Sequence, residues 1–307
     1  MPVLDRITVF PVKSFDGLEV PKAFLHRGGG IAYDRRWQFV DSDGRVVHAK
    51  RQAVVQVIRA SFDISGLLPG GPASCRHGDS FVTLRIDPLA VGRGTLPGIE
   101  RLRGLQETTF PLVPGSSGPC GWLAEAVGFE VFLRERPSGG FPDDLDAPGP
   151  TLITSATINM VANWFGLNAF EVRRRFRTNL EIGSCDAFWE DTLIQRTRPE
   201  KTVGLPVDPG IAQEASTGAF PAAEFQSFQI GPTRLLATNV CRRCVVPSRD
   251  SRTAQVTTNF RAAFEAHRNR SMRSDVDTSA WSHSYRLAVN TVVVHQGIIE
   301  VGQEVIP

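Results

Sequence analysis

With 307 residues, the chain is long enough for about two ordinary domains and a substantial buried core. Hydrophobic residues make up 41% and charged residues 21%, which excludes the disordered, collagenous and fibrous classes. Lys and Arg total 34 against 32 Asp and Glu, and a net charge of +2 is too balanced for the basic field of sequence-independent nucleic-acid binding, so nucleic acid is not an expected partner.

The opening residues carry no apolar run behind a basic start, and no stretch of about 18 uncharged apolar residues occurs, so neither an export signal nor a membrane span is expected. Cys75, Cys120, Cys185, Cys241 and Cys244 are an odd number in a long chain, which fits reduced thiols and a cytoplasmic location better than a disulfide framework. The 28 Gly and 21 Pro point to many turns between short elements, as in a β-rich α+β protein.

In chain order, Leu4, Ile7 and Val9 read as a strand limited by Pro11, with a turn at Ser14 to Gly17. Asp43-Gly44 predicts a hairpin at about 36–50. Further strands are expected at Val54 to Phe62, Phe81 to Ile86 and Leu102 to Phe110, with Gly/Pro/Ser-rich turns such as 66–74 between them. The first third therefore reads as a small antiparallel barrel or sandwich. Trp122, Leu123, Ala126 and Val127 sit at helical spacing, capped by Gly128 before another strand. The turn-rich stretch 137–149 is the best boundary, giving domains 1–137 and 138–307. Beyond it, Ser155 is the expected N-cap of a helix carrying Ile158, Val161, Ala162 and Phe165, and Asn168 that of a second helix with a basic end. Strands follow at Thr178 to Ile182 and Phe225 to Asn239, then an amphipathic helix over 258–270 and a tail of strands.

The sharpest chemical feature is Cys241-Arg242-Arg243-Cys244. A Cys-x-x-Cys pair reads as half a zinc site, but no second pair exists, and His26, His48, His77, His267, His283 and His295 show no H-x3-5-H spacing. A thioredoxin-like dithiol needs a helix opening at the cysteines, whereas strand-like runs flank these. Flanking arginines lower a thiol pKa and attract phosphate, so a third reading is a thiolate ligating a soft metal carried by an anionic cofactor. A fourth is a pair of small buried hydrophobes at a strand end.

Other signals share the anionic logic. Lys13-Ser14 follows the first strand in a turn, where an ammonium and a hydroxyl reach a phosphate together. Arg35-Arg36-Trp37 opens the hairpin, and period-two alternation sends Arg35 and Trp37 to one face and Arg36 to the other. Of the arginines around Phe176, Arg177 is the one expected to serve a site, because Arg173, Arg174 and Arg175 suit a helix C-terminus anyway. Asp143, Asp144 and Asp146 in a Pro/Gly turn read as solvated, and Glu190-Asp191 beside Phe188 and Trp189 is open to a solvated or a functional reading. No nucleotide-phosphate loop and no G-x-S-x-G nucleophile motif appears.

Taken together, these pieces resemble one family. ITVFPVKSFDGLEV and YDRRWQFVD are similar to the N-terminal β-barrel domain of MOSC proteins, and RFRTNLEI, CDAFWEDTL and NVCRRCVVPSRDSRT to the MOSC domain itself. The resemblance implies a second, MOSC-type β-barrel domain with a few helices. It implies a bound molybdenum cofactor, with Cys244 completing the molybdenum coordination and Cys241 as its neighbour. It further implies that Lys13, Ser14, Arg35, Arg177 and Asn179 hold the pterin or its phosphate, and that Arg242 and Tyr285 belong to the same pocket. Arg242 departs from the small Ser of amidoxime-reducing members, and VPSRDSRTAQ departs from their TTVDPxTG run. The relatives it points to are the mitochondrial amidoxime reducing component and bacterial MOSC-type hydroxylamine reductases, hence reduction of a small N-hydroxylated substrate. The sequence ends at Pro307 with no C-x4-C-x2-C ferredoxin spacing and lacks the aminotransferase-like part of the molybdenum cofactor sulfurase. Electrons are therefore expected from separate proteins, a ferredoxin- or cytochrome-type donor with a flavin reductase, and no pyridoxal phosphate chemistry is expected. The competing expectation is a molybdenum-cofactor or sulfur carrier using Cys244 without turnover of its own.

Overall fold

Alternating apolar residues make β1 (Val3–Val9), in which Leu4, Ile7 and Val9 are buried. Leu4 and Ile7 stand three apart because a bulge between Leu4 and Arg6 resets the alternation. The computed structural model describes residues 1–64, 80–93, 96–194, 226–276, 278, 279 and 281–307. The turn at 66–74, Cys75, His77 and the expected strand start at Phe225 lie outside those residues.

After β1 come β2 (Leu18–Val20), β3 (Lys22–Leu25), β4 (Trp37–Val40), β5 (Ile58–Ile64) and β6 (Ser80–Ile86). Next are α1 (Pro88–Arg93), α2 (Ile99–Arg103), β7 (Thr108–Pro111), α3 (Ser117–Val127), β8 (Phe132–Glu135) and β9 (Leu152–Thr154). They are followed by α4 (Ser155–Phe165), α5 (Ala169–Phe176), β10 (Leu180–Gly183), β11 (Ser227–Ile230) and β12 (Thr233–Arg242). The chain closes with α6 (Phe260–Arg270), β13 (Arg286–His295), β14 (Gly297–Glu300) and β15 (Val305–Ile306).

The architecture is strand-rich α+β, as expected, although the sheets of the described residues do not close into a barrel. The largest sheet has the order β15-β11-β12-β13-β9-β10-β1-β2, with β9 parallel to β10. Its inner strand β13 is buried over eight successive residues, which is why LAVNTVVV reads as a nearly continuous apolar run. β1 pairs with β10, and β3 pairs with β14, so strands from the two ends of the sequence share sheets and one apolar core. A second core joins α4, α5 and α6 through Val161, Phe176, Phe260 and Phe264.

Several expectations shift. The hairpin at 36–50 is reduced to a turn in which Asp41 accepts from the N–H groups of Asp43 and Arg45, with one bridge from Val40 to Val46. β4 takes β8 as its ladder partner instead, because Phe39 and Leu133 bury against each other's sheet face. The run from Val54 opens as a 3-10 helix over Ala53–Val57 before β5, and the run from Leu102 belongs to α2 before β7 begins at Thr108. Thr154, one residue ahead of Ser155, caps α4 by accepting from the Thr157 N–H. Asn168 caps α5 as expected. The strand expected to run to Asn239 is a hairpin, β11 and β12, turned at Gly231 with a positive φ of 53°.

Backbone hydrogen bonds tie stretch 137–149 to distant parts of the chain. The Phe141 N–H donates to the Arg35 carbonyl and the Gly149 N–H to that of Thr291. Gly140 has a φ of 59°, and a Cβ there would stand 2.4 Å from the Asp34 carbonyl oxygen, so a side chain would push this stretch off its seat.

Candidate functional site

Three residues singled out in the sequence sit in strained backbone. Ser14, Arg35 and Arg177 have φ of 78°, 50° and 55°, a left-handed conformation that costs a non-glycine residue about 1–3 kcal/mol. Arg177 is the C-cap of α5, Ser14 and Arg35 lie in turns, and all three line a common space. That space is a cavity of about 620 Å³, within the size range of small-molecule sites. Lys13, Ser14, Arg35, Arg177, Asn179, Arg242 and Cys244 all line it, together with residues of stretch 137–149. Tyr285 does not. It is buried in the helical core against Phe260 and Phe264, and its hydroxyl has no hydrogen-bond partner among the described residues.

The wall carries an excess of positive charge: Lys13, Arg35, Lys50, Arg175, Arg177, Arg242 and Arg243 against Asp34, Asp143 and Asp144. Arg175 is neutralised by Glu171 at 2.6 Å, and Arg243 donates to the carbonyls of Phe176 and Leu287. Lys13 bonds the carbonyls of Phe141 and Pro142 at 3.1 and 3.2 Å and pairs with Asp143 at 3.0 Å. Asp143 also pairs with Arg35 at 3.5 Å; it is exposed, as its turn suggests, and from that position bridges two site cations. Desolvation by the surrounding protein works against its charge, but Arg35 and Lys13 outweigh that and hold Asp143 well below the usual carboxylate range. Arg35 is penalised by burial too, yet Asp34 and Asp143 hold its pKa above the ordinary value. For Arg177 burial, then the charge of Arg35, outweighs the pull of Asp16, Asp143 and Asp34 and brings it down to about 10. It donates to the Phe15 carbonyl and lies over the Phe10 ring at 4.4 Å, a cation–π contact.

Asn179 is the joint that holds this wall. Its amide donates to the Thr8 carbonyl and to Asp34 at 3.0 Å each, and its oxygen accepts from the N–H and hydroxyl of Thr151 at 3.2 Å. Asp34 in turn accepts from the Phe10 N–H. With every polar atom engaged, Asn179 serves the cavity by fixing the segments that carry Arg35 and Arg177.

The two cysteines of the Cys-x-x-Cys pair differ. β12 and β13 lose register between Ala237 and Asn239 and between Val240 and Arg242, and Ala288 opposite adopts a φ of 66°. The strand peels away there, so residues 241 to 244 all line the cavity, which a regular strand with alternating faces does not allow. The buried Cys241 thiol donates to Asn290 at 2.6 Å, and burial pushes it up to about 11, so it stays protonated. Asn290 passes the chain on to Asp144 at 2.9 Å. Cys244 is half-buried and is the more accessible thiol of the pair.

Sequence reasoning missed Asp34, His48, Lys50, Asn239 and Asn290 as lining residues. Asn290 left a signal, a carboxamide beside Thr291 in the otherwise apolar run of β13.

A second charged cluster lies away from the cavity. Arg268 on α6 pairs with Asp191, both fully buried, and its guanidinium lies 4.1 Å over the Phe188 ring. Glu190 accepts from Thr157 at 3.1 Å, while its other oxygen has no partner among the described residues. Burial, followed by the neighbouring Asp191, raises Glu190 to about 7. This resolves the Glu190-Asp191 pair as buried rather than solvated.

Fold and cavity together define a strand-rich α+β protein with a cation-walled cavity built from distant parts of its sequence. Residues 1–74 match the family model of the MOSC N-terminal beta barrel domain, so that stretch of the chain is similar to it. The MOSC family is associated with binding of the molybdenum cofactor. No curated protein matches the chain. Among solved structures, the crystal structure of the YUAD protein from Bacillus subtilis is similar at 9% identity, covering 99% of this chain and 94% of that one with a TM-score of 0.35. No helix among the described residues is long and apolar enough to cross a membrane.

Proposed function

We propose that the protein is a molybdenum-cofactor-binding oxidoreductase that reduces N-hydroxylated compounds: hydroxylamines, amidoximes or N-hydroxylated bases. The observation that carries this reading is the accessible Cys244 thiol on the wall of a cavity rich in cations. The donor set fits such a group, because molybdopterin is anionic and molybdenum favours a thiolate. Cys244 would be the protein ligand of the metal, and Lys13, Ser14, Arg35 and Arg177 would hold the anionic pterin, with Asn179 positioning them. On this reading domains 1–137 and 138–307 meet at the cavity, and the protein works in the cytoplasm with Cys244 reduced.

When bound, the group supplies the two-electron exchange; with two protons, the N–OH bond becomes N–H and the oxygen leaves as water. The electrons come from separate redox proteins, a ferredoxin- or cytochrome-type donor served by a flavin reductase. The chain's own part is to bind the anion, orient the substrate and keep Cys241 protonated, so that only one thiolate of the pair competes for metal.

The test is molybdenum and pterin content of protein purified from a host that makes the cofactor, followed by benzamidoxime and hydroxylaminopurine reduction. The expected result is near one molybdenum per chain with turnover, both lost in Cys244→Ser at unchanged fold. A folded wild type without metal and pterin overturns the reading, and bound cofactor that exchanges readily without turnover converts it to a carrier.

A further inference from the structure

The cofactor as proposed engages Lys13, Arg35 and Arg177, while Arg175 pairs with Glu171 and Arg243 holds backbone carbonyls; Lys50 and Arg242 stand outside these roles. Lys50 and Arg242 are exposed and yet line the cavity, so they stand at its rim. They come from opposite ends of the sequence: Lys50 follows the turn after β4, and Arg242 ends β12 two residues before Cys244. The cavity carboxylates are committed elsewhere, Asp34 to Arg35, Asp143 to Lys13 and Arg35, and Asp144 to Asn290, so none of them neutralises Lys50. The wall below Lys50 registers the resulting field. His48 is held below the usual histidine range by burial, and then by the charges of Lys50, Arg51 and Lys13. Its Nδ1 accepts from the Arg51 N–H at 3.3 Å, which leaves Nε2–H as the donor of the neutral ring. A rim of one sign over low-dielectric walls focuses field lines and concentrates anions at the entrance.

We propose, resting on the reductase reading, that the site selects N-hydroxylated substrates that also bear an anionic group, a carboxylate or a phosphate, received at the rim by Lys50 and Arg242. A neutral N-hydroxy compound gains nothing from those two residues, whereas an anionic one is steered and held while its N–OH end enters the cavity.

The experiment compares kcat/KM for 4-carboxybenzamidoxime with that for benzamidoxime, and for an N-hydroxylated purine nucleoside monophosphate with that for its free base. The cofactor-loaded wild type, Lys50→Met and Arg242→Ser are measured at low and high salt. In wild type the anionic member of a pair is expected to win by roughly tenfold at low ionic strength, with the advantage shrinking as salt is added. The pair with the larger ratio tells carboxylate from phosphate. Lys50→Met lowers that ratio several-fold, Arg242→Ser does the same, and equilibrium binding of 4-carboxybenzamidoxime under non-turnover conditions weakens in parallel. A ratio at or below one in wild type overturns the proposal, as does a ratio unchanged in Lys50→Met. Loss of pterin from Lys50→Met or from Arg242→Ser also overturns it, because the cation then serves the cofactor. If wild type fails to reduce benzamidoxime at all, the reductase reading falls and takes this proposal with it; turnover without anion preference fells this proposal alone.

Discussion

The cavity and the Arg268 cluster use the same residue types in opposite ways. Around Arg268 a single cation is paired with Asp191 in full burial, under the rings of Phe188 and Trp281. Around Arg35 and Arg177 cations outnumber carboxylates, the wall is open to about 620 Å³, and the backbone of both residues is left-handed. A matched buried pair holds elements together, here α6 against the segment after β10. An unmatched set around a void stores a demand for counter-charge, and that demand is what a ligand satisfies.

The comparison breaks most visibly at Cys244. Cys244→Ser should bring molybdenum-dependent turnover to background while the melting temperature stays near wild type; equal loss from Cys241→Ser would remove the distinction between the two thiols. The next largest effect lies in the closed cluster. Arg268→Ala leaves Asp191 buried without its cation and should cost about 3–5 kcal/mol, read by denaturant unfolding, with much of the loss recovered when Asp191→Leu is added to Arg268→Met. A smaller effect is pH-dependent. Glu190 titrates near 7 in the fold against about 4.3 in an unfolded chain, so the stability it contributes is complete below about 4.3 and fades as pH rises through 7. Glu190→Gln should flatten the melting temperature between pH 5 and 8 and exceed wild type at the upper end. The smallest is a difference in labelling. Iodoacetamide at pH 8 should modify Cys244 well before Cys241, whose thiol is buried and bonded to Asn290, as peptide mass mapping would show.

Much of the fold was legible because its signals are local. Asn168 at the head of α5, Gly128 at the end of α3 and the apolar run of β13 each act within one element. The hairpin around Asp43-Gly44 misled, since the turn forms as its residues dictate while the partner of β4 is decided by β8, almost a hundred residues on. The site shows the same division. Lys13, Arg35, Arg177 and Cys244 carry their charge or thiol openly in the sequence, and they do line one cavity. Asp143 is exposed, as its Pro/Gly turn suggests, but the two cations it bridges arrive from the first strand loop and from residue 35, which the turn does not reveal. Left-handed backbone at Ser14, Arg35 and Arg177 leaves no sequence signal either, because no glycine marks it.

The pairing of β1 with β10 and of β3 with β14 sets an order of events during synthesis. When the first 25 residues leave the ribosome, the strands they need have not been translated, and β14 arrives almost 300 residues after the start. The early segment must wait for these later neighbours, and the lining of the cavity is complete only once Asn290 of β13 is in place. A cofactor can then be received only once β13 is in place, and its arrival would act as a late clasp fastening the early strands to the later ones.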